Sequence, residues 1–230
     1  SVDGDYNVTL TGSAAASDII SIDANTSGHI TGTGITTFTG TAANIAIVAA
    51  LEADSGSNKI NLDTDFTATV DAGSVAAADL NTISGKTAGT VTATAATAIT
   101  GTSTAVAAVV ADGQISVDGD YNVTLTGSAA ASDVIAIDAD TSGHITAADV
   151  TALTGTAANV ATVVATDGDA GVSNKISLDG DYTVTLTGAA AASDIIAIDA
   201  NTSGHITASG VTALTGTAAN VEIGRAVQQE

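Results

Sequence analysis

One segment of the chain has the residue types and the spacing of a cation-binding loop. It runs from Asp138 to Asp149, and oxygen-bearing residues recur along it at short intervals. The candidate ligands are Asp138, Asp140, Ser142, the backbone carbonyl of His144, Thr146 and Asp149. Calcium takes six to eight hard oxygen ligands, and a glycine such as Gly143 permits the sharp turn of a loop around the ion. Ca2+ is therefore the one cofactor that the sequence suggests.

The segment resembles the calcium loop of EF-hand and dockerin modules, and this resemblance implies ligands at loop positions 1, 3, 5, 7, 9 and 12. Two departures weaken it. Position 12 is Asp149 instead of a bidentate glutamate, and Gly34 and Gly210 stand there in the sister loops. In a further copy, Ser84 and Lys86 replace the first two acids. A solvated structural turn is the alternative that we favour.

Other recurring polar residues have simpler interpretations. His29, His144 and His205 each stand in the sequence Ser-Gly-His-Ile-Thr, as expected of a surface residue that was duplicated with its repeat. Acidic pairs such as Asp118 and Asp120 could bind cations, but solvated carboxylates at a bend explain them as well. The chain has no cysteine and no Gly-x-Ser-x-Gly nucleophile motif. We therefore predict that it is not an enzyme.

Charge narrows the classes of partner. The chain has 25 acidic residues against 4 Lys and Arg, for a net charge of -21 at pH 7. Such an excess argues against contacts with nucleic-acid phosphates and with anionic membrane surfaces. No apolar run approaches the ~20 residues of a bilayer span, so we expect no membrane insertion. Self-repulsion is weakened by salt, which favours a secreted or cell-surface location in a saline exterior.

Repeats dominate the sequence. An Asp-x-Asp-aromatic motif marks four long repeats, at residues 1–59, 60–114, 115–175 and 176–221. A hydrophobic-Thr-Gly step occurs about twice in each, which divides the chain into eight short repeats of about 29 residues. So short a repeat cannot bury an apolar face alone and must stack on its neighbours. We therefore predict a single elongated repeat domain over residues 1–221.

Local patterns predict a strand and a helix in each short repeat. Apolar residues alternate from Ile176 to Leu186, which indicates a half-buried strand. Thr156 and Ser128 are candidate helix N-caps, and we favour helix over strand for residues 194–199. The predicted fold is α/β, a repeat solenoid of about eight strand-helix coils with a parallel sheet. An all-β solenoid with the Ala-rich segments as corners is the alternative.

The segments at 79–93 and 150–160 resemble the Ala/Thr-rich tandem repeats of giant bacterial, especially cyanobacterial, surface or secreted proteins. This resemblance implies a stalk or array segment whose partners are the neighbouring repeats of the same chain. Residues 222–230 depart from the pattern and are similar to the translation of a sequencing adapter. We therefore expect a metagenomic fragment with a non-native tail. No polar cap is evident at either end of the repeats, which suggests end-to-end self-association.

These observations favour a non-catalytic structural segment, a spacer or adhesive stalk of a large extracellular or cell-surface protein. A calcium-binding module that Ca2+ stiffens is the second hypothesis. A third rests on Thr-x-Thr pairs such as Thr9 with Thr11 and Thr185 with Thr187, which could form hydroxyl rows resembling those of ice-binding proteins.

Overall fold

The computed structural model describes residues 4–51, 60–167 and 176–227. These residues form helices and parallel β-sheets, so the predicted α/β class is confirmed. The all-β alternative is wrong, because the Ala-rich segments complete hydrogen-bonded helices where that alternative has corners. The chain divides into two compact units, Ser1–Ile99 with Ala108–Asp118, and Thr100–Ala107 with Gly119–Glu230.

Short helices alternate with strands along the chain. The helices of the described residues are α1 (Ala16–Asp23), α2 (Ala42–Leu51), α3 (Ala77–Ser84), α4 (Ser103–Ala111), α5 (Ala131–Asp140), α6 (Ala157–Ala165), α7 (Ala192–Asp199) and α8 (Ala218–Val227). The strands are β1 (Val8–Ala15), β2 (Ile30–Gly40), β3 (Ile60–Leu62), β4 (Thr67–Val70), β5 (Gly73–Ala76), β6 (Val91–Thr92), β7 (Ala96–Gly101), β8 (Ile115–Ser116), β9 (Asn122–Ala130), β10 (Ile145–Thr156), β11 (Ile176–Leu178), β12 (Thr183–Ala191) and β13 (Ile206–Thr215).

In the main sheet of the first unit, neighbouring strands come from successive parts of the chain. The sheet order there is β1-β2-β4-β6-β8, with β3 also pairing β2, and the pairs are parallel. Strands β5 and β7 lie side by side as well. Helix α1 packs on α2 and α2 packs on α3, so neighbours in sequence are also neighbours in space.

The second unit follows the same rule. Its strand order is β9-β10-β12-β13, with β11 also pairing β10, and every one of these pairs is parallel. Helices α5, α6, α7 and α8 pack in that order, each on the next. Parallel strands need a crossover connection, and the helix after each long strand supplies it.

The core forms between the inner face of the strands and the apolar face of the helices. Leu153 of β10 and Val160 of α6 are both 0 % exposed, and Val163 and Val164 are buried beside them, as the helical spacing predicts. Thr156 caps α6 by accepting a hydrogen bond from the backbone N–H of Asn159 at 3.2 Å, so this predicted N-cap is confirmed.

Two local expectations need correction. Ser128 is not an N-cap, because β9 continues to Ala130 and α5 begins only at Ala131. The strand predicted from Ile176 to Leu186 is two strands, β11 and β12, since a turn at Asp179–Asp181 interrupts it. Residues 194–199 are helical, as we predicted, within α7.

A glycine with positive φ accompanies each of the eight short sequence repeats. These glycines are Gly12, Gly40, Gly73, Gly101, Gly127, Gly155, Gly188 and Gly216. In the second long repeat the expected glycine position is Ala72, and Gly73, with φ of 131°, takes this conformation one residue later. Glycine reaches such backbone angles without steric cost, which explains its recurrence before the helices.

Residues 222–230, which we predict to be a non-native tail, lie partly outside the described residues. Helix α8 runs to Val227, so the backbone remains helical for six residues beyond Val221. Residues 228–230 lie outside the described residues, as do the side chains from Ile223 onward. A non-native origin of 222–230 stays a prediction.

Candidate functional site

The predicted cation loop forms the junction between a helix and a strand. Asp138 and Asp140 occupy the last turn of α5, and Thr146 and Asp149 belong to β10. Ser142 and His144 lie between the two elements. An EF-hand loop is instead followed by a helix, so the chain leaves this segment in a different local structure from the one implied by the resemblance.

Several of the predicted ligand oxygens take part in hydrogen bonds within the protein. The Oδ2 atom of Asp140 accepts a 2.7 Å hydrogen bond from the Tyr121 hydroxyl. The His144 carbonyl accepts a 2.8 Å bond from the backbone N–H of Val123, and the Ser142 hydroxyl donates to the Gly119 carbonyl at 3.1 Å. A calcium ion would have to compete with these contacts. Calcium at this loop stays a prediction.

Thr141 organises the turn at the centre of the segment. Its side chain is 1 % exposed. Its hydroxyl donates a 2.5 Å hydrogen bond to the Tyr121 carbonyl and accepts one of 3.0 Å from the backbone N–H of Gly143. A buried hydroxyl of this kind stabilises the fold, since its loss would leave two backbone groups unpaired away from water.

The same arrangement recurs in all four long repeats, and we call it the Thr-x-Gly turn. In each copy the threonine hydroxyl donates to the carbonyl of the aromatic residue and accepts from the glycine N–H. The four turns are Thr26–Gly28, Thr87–Gly89, Thr141–Gly143 and Thr202–Gly204. Sequence reasoning missed the threonine, although its recurrence two residues before an aligned glycine was a usable signal.

Close backbone packing explains the glycine of this turn. A Cβ atom on Gly143 would lie 2.1 Å from the Tyr121 carbonyl oxygen, and one on Gly204 would lie 2.1 Å from that of Tyr182. No real Cβ contact is so short, so any larger residue must displace the backbone. A glycine at this position therefore allows the two backbone segments to approach closely. The calcium hypothesis instead gave the glycine the role of permitting the loop to turn around an ion.

Burial shifts the pKa of three side chains around these turns. It raises the pKa of the Tyr121 phenol, and the hydrogen bond to Asp140 and the charge of Asp140 raise it further. Burial also raises the pKa of Tyr182, with a contribution from the nearby charge of Asp167. The pKa of Asp138 is raised by desolvation, which disfavours the ionised form.

The recurring histidines contribute backbone contacts to the sheet. The His144 N–H donates to Asn122 Oδ1 at 2.9 Å, and the His29 N–H donates to Asn7 Oδ1 at 2.8 Å. The imidazole of His29 lies 3.3 Å from the Thr31 hydroxyl. Within residues 4–51, 60–167 and 176–227, no three His, Asp or Glu side chains are grouped so that they could hold a metal ion.

Outward threonines align on neighbouring strands. Thr39 of β2 pairs with Thr69 of β4, which in turn pairs with Thr92 of β6. The hydroxyls of Thr37 and Thr67 are 2.9 Å apart. Hydroxyls bonded to each other or to backbone carbonyls in this way stabilise cross-strand pairing. Ice binding by these rows stays a prediction.

The comparisons with known proteins give no relative. The chain matches no family model, and neither a curated protein nor a solved structure is significantly similar to it.

Among the described helices, each is too short or too polar to cross a lipid bilayer.

Proposed function

We propose that the chain is a non-catalytic structural repeat segment, a spacer or adhesive stalk of a large extracellular or cell-surface protein. In this proposal each strand and its following helix form one coil of a solenoid. The stacked coils make the segment elongated, so that it spans a distance between the parts of the larger protein that it joins. The observation that carries the proposal is the nearest-neighbour order of strands and helices within each unit.

The register of the strands supports stacking by a repeated rule. Leu153 of β10 pairs with Val184 of β12, and Thr154 pairs with Thr185. At the aligned positions of the first unit, Phe38 pairs with Ala68 and Thr39 pairs with Thr69. A solenoid is built from such interchangeable interfaces, since each repeat contacts only its neighbours.

Buried groups around the Thr-x-Gly turns fit a structural role. Tyr121 and Tyr182 are each 1 % exposed, and their hydroxyls donate to Asp140 and Asn201. These polar side chains form internal hydrogen bonds, as expected of residues whose role is to stabilise the fold. The net charge of -21 keeps such a segment soluble and favours a saline exterior.

Insertion of additional long repeats tests the proposal. Copies of residues 115–175 would be inserted in tandem after residue 175, giving chains with one, two or three extra long repeats. Each insertion adds two coils, so the maximum dimension from small-angle X-ray scattering should grow by about 10 Å per copy. The growth should be linear, with thermal stability maintained or raised.

A matched control separates stacking from mere added mass. The control inserts the same residues in scrambled order, which keeps length and composition but removes the repeat pattern. It should give a protease-sensitive insert and no ordered lengthening. If the authentic copies behave like the scrambled ones, or if they enlarge the particle equally in all directions, the solenoid proposal is wrong.

A further inference from the structure

The turn between β11 and β12 places a backbone nitrogen beside a carboxyl group that it can attack. Asp179 and Gly180 are both exposed in this turn. The N–H of Gly180 donates a 3.0 Å hydrogen bond to Oδ1 of Asp179, the residue directly before it in the chain. This contact holds the two groups together in the folded chain, and such proximity lowers the entropic cost of a reaction between them.

Glycine leaves the attacking nitrogen unhindered. Gly180 has no side chain beside its nitrogen, and even a Cβ atom built there would meet nothing within 4 Å. The backbone of glycine also rotates more freely than that of any other residue, so the turn can adopt the geometry of a ring. Because Asp179 and Gly180 are exposed, water can reach the ring and open it.

An equivalent turn in the second long repeat has the same hydrogen bond without the glycine. Oδ1 of Asp63 accepts a 2.9 Å bond from the N–H of Thr64, and both residues are exposed. The β-branched side chain of threonine is bulky and stiff next to the backbone, so it hinders closure of a ring at this nitrogen. The Asp63 turn therefore matches the Asp179 turn in contact but not in reactivity.

A third site has the glycine without the hydrogen bond to it. Asp112 precedes Gly113, but its Oδ1 accepts a 2.9 Å bond from the N–H of Gln114, one residue further along. Its Oδ2 accepts a 2.5 Å bond from the Ser84 hydroxyl. These two contacts hold the carboxylate in place, away from a hydrogen bond with the Gly113 nitrogen. Among these three sites, Asp179 alone combines the glycine with the contact.

We propose that Asp179 and Gly180 form a site of spontaneous isoaspartate formation. The Gly180 nitrogen, on losing its proton to solvent, attacks Cγ of the protonated Asp179 carboxyl group. The new C–N bond forms while a Cγ–O bond breaks, and the oxygen leaves as water. Water then adds to either carbonyl of the resulting five-membered succinimide and breaks its bond to nitrogen. Opening at Cγ restores aspartate, and opening at the backbone carbon gives isoaspartate.

The modification changes the backbone and leaves the charge as it was. Isoaspartate carries one carboxylate, as aspartate does, but it adds a methylene to the chain just before β12. The Gly180 carbonyl accepts hydrogen bonds from the Ser203 N–H at 2.7 Å and from the Ser203 hydroxyl at 3.0 Å. Ser203 is the central residue of the Thr-x-Gly turn Thr202–Gly204. Displacement of Gly180 weakens these bonds, so the modified chain should melt at a lower temperature.

Peptide mapping of the aged chain tests the proposal. The folded chain would be incubated in neutral buffer for weeks and cleaved after lysine and arginine, which puts the three sites on separate peptides, 60–86, 87–175 and 176–225. Fragmentation by electron transfer distinguishes isoaspartate from aspartate and locates it. Isoaspartate at Asp179 should exceed that at Asp63 and at Asp112 several-fold, with a transient form lighter by one water. Equal or lower amounts at Asp179 would show that the proposal is wrong.

Three variants separate the contributions of the two residues. Gly180→Thr reproduces the turn of the second long repeat, so isoaspartate at Asp179 should fall several-fold. Asp179→Glu keeps the charge but would need a six-membered ring, and it should abolish the modification. Asp181→Glu, at an exposed neighbouring site, is the control that should leave the amount unchanged. Circular dichroism checks that each variant is folded. An unchanged rate in Gly180→Thr would contradict the proposal.

Unfolding the chain isolates the part that the structure contributes. In concentrated urea Asp112 and Asp179 are both followed by glycine and are no longer held by their folded contacts. Their rates of isoaspartate formation, measured with an isoaspartyl methyltransferase and a labelled methyl donor on the separated peptides, should therefore become similar. In the folded chain the excess at Asp179 should return. A ratio of the two rates that is the same in both conditions would show that the Gly180 hydrogen bond does not promote the reaction.

Discussion

The Tyr121 hydroxyl donates a 2.7 Å hydrogen bond to Asp140 Oδ2, and the two positions change together in another long repeat. There the matching residues are Phe66, which has no hydroxyl to donate, and Lys86, which has no acceptor. In the fourth repeat Tyr182 donates to Asn201. The residue before the Thr-x-Gly turn is therefore matched to the aromatic residue, which explains the carboxylate of Asp140 without a metal ion.

Tyr121→Phe should reduce the free energy of unfolding by about 1 kcal/mol, the typical net value of one hydrogen bond. Phenylalanine fits the site, since Phe66 occupies the matching position and is 1 % exposed. Urea denaturation measures the change. Asp140→Ala combined with Tyr121→Phe completes a double-mutant cycle. A coupling energy near zero would show that the hydrogen bond contributes nothing to stability.

Gly143→Ala should destabilise the chain by roughly 1–3 kcal/mol, the usual cost of overpacking. The new Cβ would lie 2.1 Å from the Tyr121 carbonyl oxygen, so the turn must shift. Gly119→Ala is the matched control, because a Cβ there meets nothing within 4 Å. Thermal melting of both variants gives the comparison. Equal melting temperatures would contradict the close-approach role of Gly143.

Asp138→Asn should raise thermal stability slightly at pH 7 and leave it nearly unchanged in acid. Burial raises the pKa of Asp138 in the folded chain, so the folded state holds its proton to higher pH than the unfolded state. The free energy of unfolding therefore falls as pH rises from the unfolded-state pKa of Asp138 through its folded-state pKa. Asparagine does not ionise, so the variant avoids this loss of stability.

A matched variant corrects for the general repulsion among the acids. Asp120→Asn removes one negative charge at an exposed site. Melting temperatures would be followed from acid to neutral pH for both variants. If Asp138→Asn raises the melting temperature at pH 7 by no more than Asp120→Asn does, burial of Asp138 is not the cause of the increase.

Calcium in millimolar excess should leave the melting temperature where a chelator leaves it, once ionic strength is matched with sodium chloride. The reason is that, within the part of the chain that the structure describes, no three His, Asp or Glu side chains are grouped so that they could hold a metal ion, and Asp140 is already hydrogen-bonded to Tyr121. Differential scanning calorimetry is the measurement, with magnesium as a second divalent cation. A rise specific to calcium that Asp140→Ala abolishes would restore the calcium hypothesis.

Local patterns in the sequence predict which segments are helical better than they predict the residue at which each helix begins. The Val160, Val163 and Val164 spacing identifies the buried face of α6, and Thr156 caps it as expected. Ser128 looks equally suitable as a cap. Pairing of Ala129 and Ala130 with β10 extends β9 past it instead. Tertiary pairing overrides a local signal here.

Contacts that join distant residues could not be predicted. The N–H of Ala130, just before α5, donates to the Ser103 hydroxyl at 3.2 Å, and Asp133 Oδ2 accepts from Thr104 at 3.1 Å. These partners lie some thirty residues away in sequence. No local pattern indicates that an α4 side chain serves the start of α5. The recurrence of the threonine in the Thr-x-Gly turn is visible in the sequence, but its carbonyl acceptor, 20 residues distant, could not be predicted for the same reason.

The shared register of Leu153 with Val184 and of Phe38 with Ala68 has a genetic consequence. Unequal crossing-over between similar repeat-coding stretches of a gene would add or delete a whole number of long repeats. Under the proposed stacking, every strand would then still meet a partner that it already fits, and no new interface would have to evolve. The number of long repeats becomes a trait that selection can adjust independently of any single residue.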